Sequence, residues 1–459
     1  MLIGLAMIRM ASVTTVTLLL IVSAAGAQQN PQPAPANAPQ LPAAAPPPPL
    51  PNRANEVLPS WLRVRGEFRE RIEGFSNAGF ASGRDDVYWL SRLRLNASII
   101  PSRFLAFQLQ AQDARVAKKE IGSTALPFAG PFDLRMGFAD VGTTTSRMVA
   151  RVGRQELAYG EQRLVGHLNW TNTARTFDAA KVTLRSKRVT LDLFDASVVR
   201  ILDGQFDKSG NGNRFLGAYG SAALVPKSTI EPYLFWKQDQ NLRTELATTG
   251  TLELATIGVR WTGKLPARIE YGTEMAVQTG SLGSDAVGAW AGHWQVRAGA
   301  PTRMPFGLTG EYNYASGDEN PSDGKRGTFD QLYPTGHDKY GLADQIGWRN
   351  IHHLRAGVDM VPIKALSVTA NYHSWWLAKS RDALYTAGGA VLARLPAGAA
   401  SRRVGQEIDL QAARPITPQL QVAAGYAYIF PGAFLKEATP GASYGQPYVM
   451  LTYIFLADK

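Results

Sequence analysis

The sequence alternates apolar and charged residues along segments of about a dozen residues, and the first such segment begins at Trp61. Alternate positions in this segment are apolar: Leu62, Val64, Phe68 and Ile72. The positions between them are largely charged: Arg63, Arg65, Glu67, Arg69, Arg71 and Glu73. Because successive side chains of a β-strand point to opposite faces, the segment predicts a strand with one apolar and one charged face.

The pattern recurs from residue 61 to the C-terminus without an intervening helical period. It predicts about 18 strands, near 61–73, 87–99, 103–113, 132–142, 146–157, 174–185, 188–198, 214–224, 229–238, 251–262, 267–279, 287–298, 305–316, 350–361, 366–377, 403–413, 419–430 and 446–456. Short turns follow the even-numbered strands, and longer loops follow the odd-numbered ones, the longest over 317–349. Short periplasmic turns and long extracellular loops are typical of outer-membrane barrels. The predicted fold class is all-β, a transmembrane antiparallel β-barrel.

The charged face of each predicted strand must line the lumen, because a charged side chain on the lipid face costs about 2–4 kcal/mol at mid-membrane. This rule assigns the following residues to the lumen: Arg63, Arg65, Glu67, Arg69, Arg92, Arg94, Arg135, Arg147, Arg151, Arg268, Glu270, Arg297, Arg355 and Asp359. Opposite charges in this set can pair across strands and brace a polar interior. Alternatively, the arginines form a net-positive passage for a polyanion, since guanidinium stays charged and binds carboxylate bidentately.

The N-terminal residues predict export. Arg9 precedes an apolar run from Ala11 to Val22, and Ala25-Gly26-Ala27 fits a signal-peptide cleavage site. We therefore expect a signal peptide over 1–27, a Pro- and Ala-rich periplasmic tether over 28–59, and the barrel over 60–459. An exported chain with many amphipathic strands indicates the outer membrane of a Gram-negative bacterium.

Composition limits the chemistry of the chain. Its 459 residues include no cysteine, which excludes disulfides, thiolate metal sites and cysteine nucleophiles. The mean hydropathy of −0.14 argues against a helical membrane protein. The net charge of +11 favours an anionic partner but does not distinguish nucleic acid, lipid and polysaccharide. Nucleic acid is not expected in the predicted compartment.

No group of residues has the spacing of a catalytic or metal site. His373 and Ser374 are adjacent on one predicted strand, so their side chains face opposite sides and form a poor dyad. Three aspartates of the longest predicted loop lack the order of a calcium-binding loop: Asp318, Asp323 and Asp330. We expect this loop to be solvated and turn-rich. We expect no enzyme activity, no cofactor and no bound metal.

Two stretches of the sequence resemble the alginate export family of outer-membrane barrels. The first comprises Gly153–Leu157, Tyr159–Gly166, Asn169-Trp170 and Arg175–Asp178. The second extends over 316–350 and includes Gly327–Thr335. The resemblance extends from about residue 61 to the C-terminus. It implies an 18-stranded monomeric barrel with an arginine-rich lumen that exports an acidic polysaccharide.

Two transport functions remain open at this point. The first is an outer-membrane channel that passes an anionic, alginate-like polysaccharide through an arginine-rich lumen. The second is an anion-selective porin for the uptake of small acidic solutes. The expected partners are outer-membrane lipid, the anionic solute, the barrel-assembly machinery and periplasmic export components. We expect the barrel to be monomeric.

Overall fold

A computed structural model describes residues 53–143, 145–202, 205–244, 248–300 and 305–456. These residues form a closed antiparallel barrel of 18 long strands, which confirms the predicted fold class and strand number. The predicted signal peptide and residues 28–52 of the predicted tether lie outside the described residues, as do residues 301–304 of the short turn predicted between the strands near 287–298 and 305–316.

The long strands are β1 (Leu62–Phe75), β2 (Asp86–Ser102), β3 (Leu105–Ala117), β4 (Gly130–Val141), β5 (Met148–Gln155), β6 (Phe177–Arg185), β7 (Val189–Arg200), β9 (Asn213–Ala222), β10 (Ser228–Arg243), β11 (Thr249–Leu265), β12 (Ile269–Leu282), β13 (Asp285–Ala300), β14 (Phe306–Ala315), β16 (Ile351–Ile363), β17 (Leu366–Leu377), β20 (Arg403–Pro415), β21 (Leu420–Pro431) and β22 (Tyr444–Phe455). Short strands in the connections are β8 (Lys208–Ser209), β15 (Lys325–Arg326), β18 (Leu384–Tyr385) and β19 (Val391–Ala393). The α-helices in the described residues are α1 (Arg53–Val57) and α2 (Ala433–Ala438). None of the helices in this part of the chain is long and apolar enough to cross a membrane.

Each long strand pairs with its neighbours in sequence, and the barrel closes where β1 pairs with β22. The two faces of the wall follow the predicted alternation. On β2, Trp89 and Leu95 are exposed on the outer face, whereas Arg92 and Arg94 are buried on the inner face. An apolar outer surface can contact lipid, and the polar side chains point into the lumen.

The short connections lie together at one end of the barrel and mark its periplasmic side. The predicted alternation of short turns and long loops fails between β12 and β13. Only Gly283 and Ser284 join these strands, because both strands continue beyond their predicted bounds. Gly283 has a φ of 59°, the left-handed conformation that a two-residue hairpin turn requires.

Two long connections fold into the barrel. We call residues 156–176, between β5 and β6, loop A, and residues 316–350, between β14 and β16, loop B. Phe329, Tyr340 and Trp348 of loop B are buried. The expectation of a solvated loop over 317–349 is therefore wrong for most of its length, and the exposed part is the tip near 319–325.

Aromatic side chains on the inner faces of β6, β7, β9 and β10 form an apolar patch beneath both loops: Phe177, Phe194, Phe215, Tyr219, Tyr233 and Phe235. Tyr159 of loop A stacks on Tyr219, with the ring centroids 4.5 Å apart. Tyr333 of loop B meets Phe215 edge-on at 5.0 Å. Burial of these rings stabilises both loops inside the barrel by the hydrophobic effect.

Candidate functional site in the lumen

All but two of the predicted lumen residues lie on inward strand faces. Arg147 precedes β5 in a short turn, where it is exposed. Arg268 lies in the turn between β11 and β12, because Ala267 and Arg268 both adopt positive φ there. The assignment of these two arginines to inward strand faces is therefore wrong. Arg63 and Arg65 lie near the periplasmic mouth, and Arg65 is exposed.

Several inward charges pair across neighbouring strands. Arg151 binds Asp140 at 2.6 Å. Arg297 binds Asp359 at 2.6 Å and lies 3.9 Å from Glu270. The Arg151–Asp140 pair connects adjacent strands, whereas the Arg297–Asp359 pair spans β14, and both brace the polar interior of the wall.

A different arrangement occupies β1, β2 and β4, where five buried arginines form one side of the lumen. We call this set the arginine wall: Arg69, Arg71, Arg92, Arg94 and Arg135. Arg135 reaches the lumen from a β-bulge, at the register shift opposite Gln110 and Ala111. The carboxylates paired with the wall among the described residues are fewer: Glu67, Glu73 and Glu156. The wall therefore keeps a net positive charge.

Loop A supplies neutral acceptors to the remaining donors of the arginine wall. Arg69 Nη1 and Arg92 Nη1 each donate to the main-chain carbonyl of Asn169 at 3.0 Å. Arg94 Nη1 donates to the side-chain oxygen Oδ1 of Asn169 at 2.7 Å. Main-chain and amide oxygens of loop A therefore accept hydrogen bonds from three arginines of the wall.

The segment of loop A between Glu156 and Asn169 is bound to the opposite side of the barrel. Arg260 of β11 donates to Glu161 at 3.0 Å. Arg163 pairs with Glu311 of β14 at 2.9 Å, and Arg355 of β16 pairs with the same carboxylate at 2.5 Å. Loop A therefore crosses the lumen and connects the arginine wall to β11, β14 and β16.

Two carboxylates of loop A are held in the ionised form. Burial alone would raise the pKa of Glu156, but the neighbouring Arg135 guanidinium and His167 lower it to about 2. The same competition between burial and neighbouring cations, Arg163 foremost, holds the pKa of Glu161 well below its usual range. Both groups are anionic at neutral pH and form charge-assisted contacts that fix the loop.

Loops A and B hydrogen-bond to each other inside the barrel. The amide of Tyr333 donates to the carbonyl of Leu164, and the amide of Gly166 donates to the carbonyl of Tyr333, both at 2.8 Å. The hydroxyl of Thr335 donates to Gln162 Oε1 at 2.8 Å. We call these contacts the loop junction. They join the two loops into one unit across the lumen.

A row of buried polar side chains crosses five strands next to loop B: His293, Asn313, His353, His373 and Asp409. The distances between consecutive members are 2.8, 2.8, 2.9 and 3.0 Å. Asp409 also accepts the amide of Leu342 of loop B at 3.1 Å. His373 therefore faces Asp409, a partner on another strand, and the row connects the wall to loop B.

The three aspartates of loop B lie in different surroundings. Asp330 pairs with Lys237 of β10 at 3.0 Å. Asp318 is buried, and Asp323 belongs to the exposed tip. The described ranges contain no group of three or more side chains that could hold a metal ion.

Sequence reasoning missed the residues of loops A and B that meet the strands, Asn169, Glu161 and Arg163 among them. The alternation of strand residues carries no information about them, because they lie outside the strands. A signal did exist, since the two loops coincide with the two stretches that resemble the alginate export family. These stretches combine charged and aromatic residues without strand periodicity.

An 18-stranded barrel with an apolar outer surface, a polar lumen and inward loops is a porin-like outer-membrane channel. The sequence model described as "Alginate export" matches residues 60–448, and the chain belongs to the alginate export family. Fold and family together imply the outer membrane of a Gram-negative bacterium and a transport channel rather than an enzyme.

Solved structures with a similar fold include OpdO of Pseudomonas aeruginosa, with a TM-score of 0.59 and 14% identity over 87% of this chain and 99% of that chain. OpdQ of the same organism has a TM-score of 0.57 and 13% identity over 86% of this chain and 97% of that chain. A BenF-like porin of Pseudomonas fluorescens Pf-5 has a TM-score of 0.57 and 11% identity over 86% of this chain and 98% of that chain. At these identities the likeness is one of fold alone. No curated protein matches the sequence.

Proposed function

We infer that this outer-membrane channel passes an anionic, alginate-like polysaccharide through its lumen. The arginine wall carries the proposal, because its guanidinium groups outnumber the carboxylates paired with them. Guanidinium groups bind the carboxylates of acidic sugars bidentately, and a positively charged lumen selects anions. Membership of the alginate export family supports the same class of solute.

The proposal includes the path to and from the membrane. Residues 1–27 direct export, residues 28–59 tether the barrel on the periplasmic side, and residues 60–459 form the channel. The barrel-assembly machinery inserts the chain as a monomer, and periplasmic export components deliver the polymer. The predicted lumen residues on inward strand faces contact it during passage.

Single-channel recording in planar bilayers tests this function. We expect anion selectivity at low salt that weakens as ionic strength rises, because exposed charges are screened beyond roughly 10 Å at 0.1 M salt. Oligomers of galacturonic acid should block chloride current transiently, and neutral maltooligosaccharides of equal length should block less. Equal block by both would leave a general porin for small solutes. Cation selectivity would overturn the proposal.

Arg65 provides the charge variant, because it is exposed near the periplasmic mouth and is not one of the arginines that bind loop A. The Arg65→Glu variant should lower anion selectivity without moving loop A, whereas charge reversal at Arg92 or Arg94 would also release that loop. Arg188→Glu is the matched control, because Arg188 is exposed in the turn between β6 and β7. Equal selectivity in both variants would contradict a role for lumen charge.

A further inference from the structure

We propose that the outer face of β6, β7, β9 and β10 binds a phosphorylated glycolipid of the outer leaflet, with an acyl chain in an apolar groove and a phosphate between Arg200 and Lys208. We call the two parts of this site the acyl groove and the cation pair. The acyl groove is on the lipid-facing side of the barrel, and the cation pair follows it on the same strand. The proposal therefore does not depend on the solute that passes through the lumen.

The acyl groove is a depression of about 440 Å³ in the outer surface. Its floor is Ala218 of β9, whose register partners on the neighbouring strands are Leu193 of β7 and Leu234 of β10. These leucines are 43% and 49% exposed, so they form the two sides of the groove beside the small methyl group. The next row of side chains adds Leu216 and Trp236. This apolar lining suits a hydrocarbon chain.

Ion pairs on the outer surface place the acyl groove in the outer leaflet. A short periplasmic turn joins β6 and β7, so residue numbers along β7 increase toward the extracellular side. Two residues beyond Leu193, the exposed Asp195 pairs with Arg214 of β9 at 2.7 Å. Near the extracellular end of β6, Asp178 pairs with Arg154 of β5 at 2.8 Å. Charged side chains on the outer face are costly within the hydrocarbon, so these pairs mark its extracellular edge directly beyond the groove.

The cation pair lies further toward the extracellular side. Arg200 ends β7 and is directly opposite Lys208 of β8, and both side chains are exposed. Like charges directly opposite each other destabilise paired strands, and a bound anion removes the repulsion. Phe206, in the connection between these two strands, is 75% exposed, as is typical of an aromatic ring at a membrane interface. A phosphate with several acceptor oxygens can accept hydrogen bonds from both cations.

Acidic side chains of the same region are bound to other partners. Asp178 and Asp195 form the ion pairs at the edge of the hydrocarbon, and Asp207 Oδ1 accepts the amide of Leu202 at 3.0 Å. The positive charge of the cation pair is therefore available to a ligand.

The distance between the two parts favours a glycolipid over a phospholipid. Arg200 follows Asp195 by five residues, which is about 17 Å along an extended strand. The phosphate of a phospholipid lies immediately next to its acyl chains. A phosphorylated sugar headgroup extends further from the hydrocarbon, so its phosphate can reach the cation pair while an acyl chain occupies the groove.

Native mass spectrometry of the purified channel in detergent measures this binding. The probes are bisphosphorylated lipid A, the same lipid without its phosphates, and phosphatidylglycerol. We expect the channel to bind bisphosphorylated lipid A roughly 30-fold more tightly than the dephosphorylated lipid, because two cations attract the phosphate. Phosphatidylglycerol should bind more weakly than bisphosphorylated lipid A.

Two variants test the two parts of the site separately. The Arg200→Gln, Lys208→Gln double variant should bind bisphosphorylated lipid A roughly 30-fold less tightly, because the attraction of both cations is lost. The Ala218→Phe variant should bind it roughly tenfold less tightly, because the ring displaces about two methylene groups of the acyl chain from the groove.

Matched controls carry the same substitutions elsewhere on the chain. Lys187→Gln, Arg188→Gln removes two exposed cations from the periplasmic turn between β6 and β7. Ala356→Phe adds the same ring to an exposed position of β16, among strands that do not form the groove. Both controls should bind bisphosphorylated lipid A as the wild-type chain does. Heat-modified migration on gels, which reports a folded barrel, confirms that each variant has assembled.

The pattern across lipids and variants decides the proposal. Wild-type affinity in either the double variant or the Ala218→Phe variant would overturn the two-part site. Equal losses in the test variants and their controls would show a general layer of lipid around the barrel and would also overturn it. Equal affinity for phosphatidylglycerol and bisphosphorylated lipid A would exclude a site for glycolipid.

Discussion

Individual arginines in this lumen combine charge with structural support. Arg92 binds Glu67 at 2.6 Å through Nη2 and two oxygens of Asn169 through Nη1. Arg94 donates from Nε to Gln112 at 2.7 Å and from Nη1 to Asn169. The planar guanidinium group has five N–H donors, so one arginine can bind several partners in different directions. The single ammonium group of a lysine could not do the same. The same residues therefore supply positive charge and hold loop A.

At the residue scale, the pH dependence of loop A should follow the Arg135–Glu156 pair. The pKa of Glu156 is lowered from 4.5 to about 2 in the folded chain. Because the folded pKa is depressed, the pair stabilises the folded loop above pH 4.5, and this contribution is lost as the pH falls toward 2. A spin label on a cysteine at exposed position 158 should report increasing mobility over this range.

The absence of other cysteines in the sequence makes this label specific. The Glu156→Gln variant keeps the size of the side chain and removes its titration. It should give a mobile label at both ends of the pH range. A label whose response to pH is the same in the glutamine variant would show that another group controls loop A.

At the scale of elements, the hydrogen bonds of the loop junction join loops A and B into one unit. The loop junction is narrow, and Gly166 lies at its centre. A Cβ atom added at Gly166 would lie 2.3 Å from Thr335 Oγ1 and 2.7 Å from Gln162 Cβ. The space at the junction therefore permits only glycine, although its backbone is not in a left-handed conformation.

The Gly166→Ala variant should separate the two loops while the barrel remains folded. Its new methyl group displaces Thr335, whose hydroxyl also accepts the amide of Leu168 at 2.9 Å. Trypsin should then cut after Arg163 and Lys339, which are buried in the intact chain. Mass spectrometry of the fragments identifies these sites.

Gly388→Ala is the control for the loop junction. Gly388 lies in the connection between β17 and β20, and its nearest neighbour to an added Cβ is Thr386 Oγ1 at 3.8 Å. This variant should resist trypsin as the wild-type chain does. Resistance of the Gly166 variant as well would mean that the strands hold each loop without help from the other.

At the scale of the whole molecule, two apolar surfaces stabilise the barrel. The outer one faces lipid, and the inner one is the aromatic patch covered by loops A and B. Other parts of the inner surface carry the cross-strand ion pairs and the arginine wall. This arrangement explains a chain that is 45% hydrophobic and yet has a mean hydropathy below zero.

A charged side chain introduced on the outer surface should destabilise the barrel more than an apolar substitution at the same position. Val277 lies within β12 and is 61% exposed on the outer face. The Val277→Arg variant should lower the free energy of unfolding by about 2–4 kcal/mol, because the guanidinium must enter the hydrocarbon region. Reversible guanidinium unfolding in lipid vesicles measures the difference. The Val277→Leu variant should have nearly the free energy of unfolding of the wild-type chain. An equal decrease in the Val277→Arg and Val277→Leu variants would show that position 277 lies outside the hydrocarbon region.

The sequence alone predicts the strands because alternation is a local property with a period of two residues. It assigns Arg69, Arg92 and Arg94 to the charged face of β1 and β2, and these side chains are buried in the structure. It fails at Arg268, where a turn with positive φ replaces the first residues of the predicted strand. It also fails between β12 and β13, because a strand can continue past the membrane without a change of pattern.

The tertiary structure alone decides how the lumen is filled. Arg69 and Asn169 are separated by 100 residues, and Arg163 and Glu311 by 148, so no local pattern records that they meet. A parity rule says which face an arginine occupies, but it cannot say whether a carboxylate, a carbonyl or a solute binds it. The inward path of loops A and B depends on buried rings, ion pairs and hydrogen bonds that exist only after the barrel has closed.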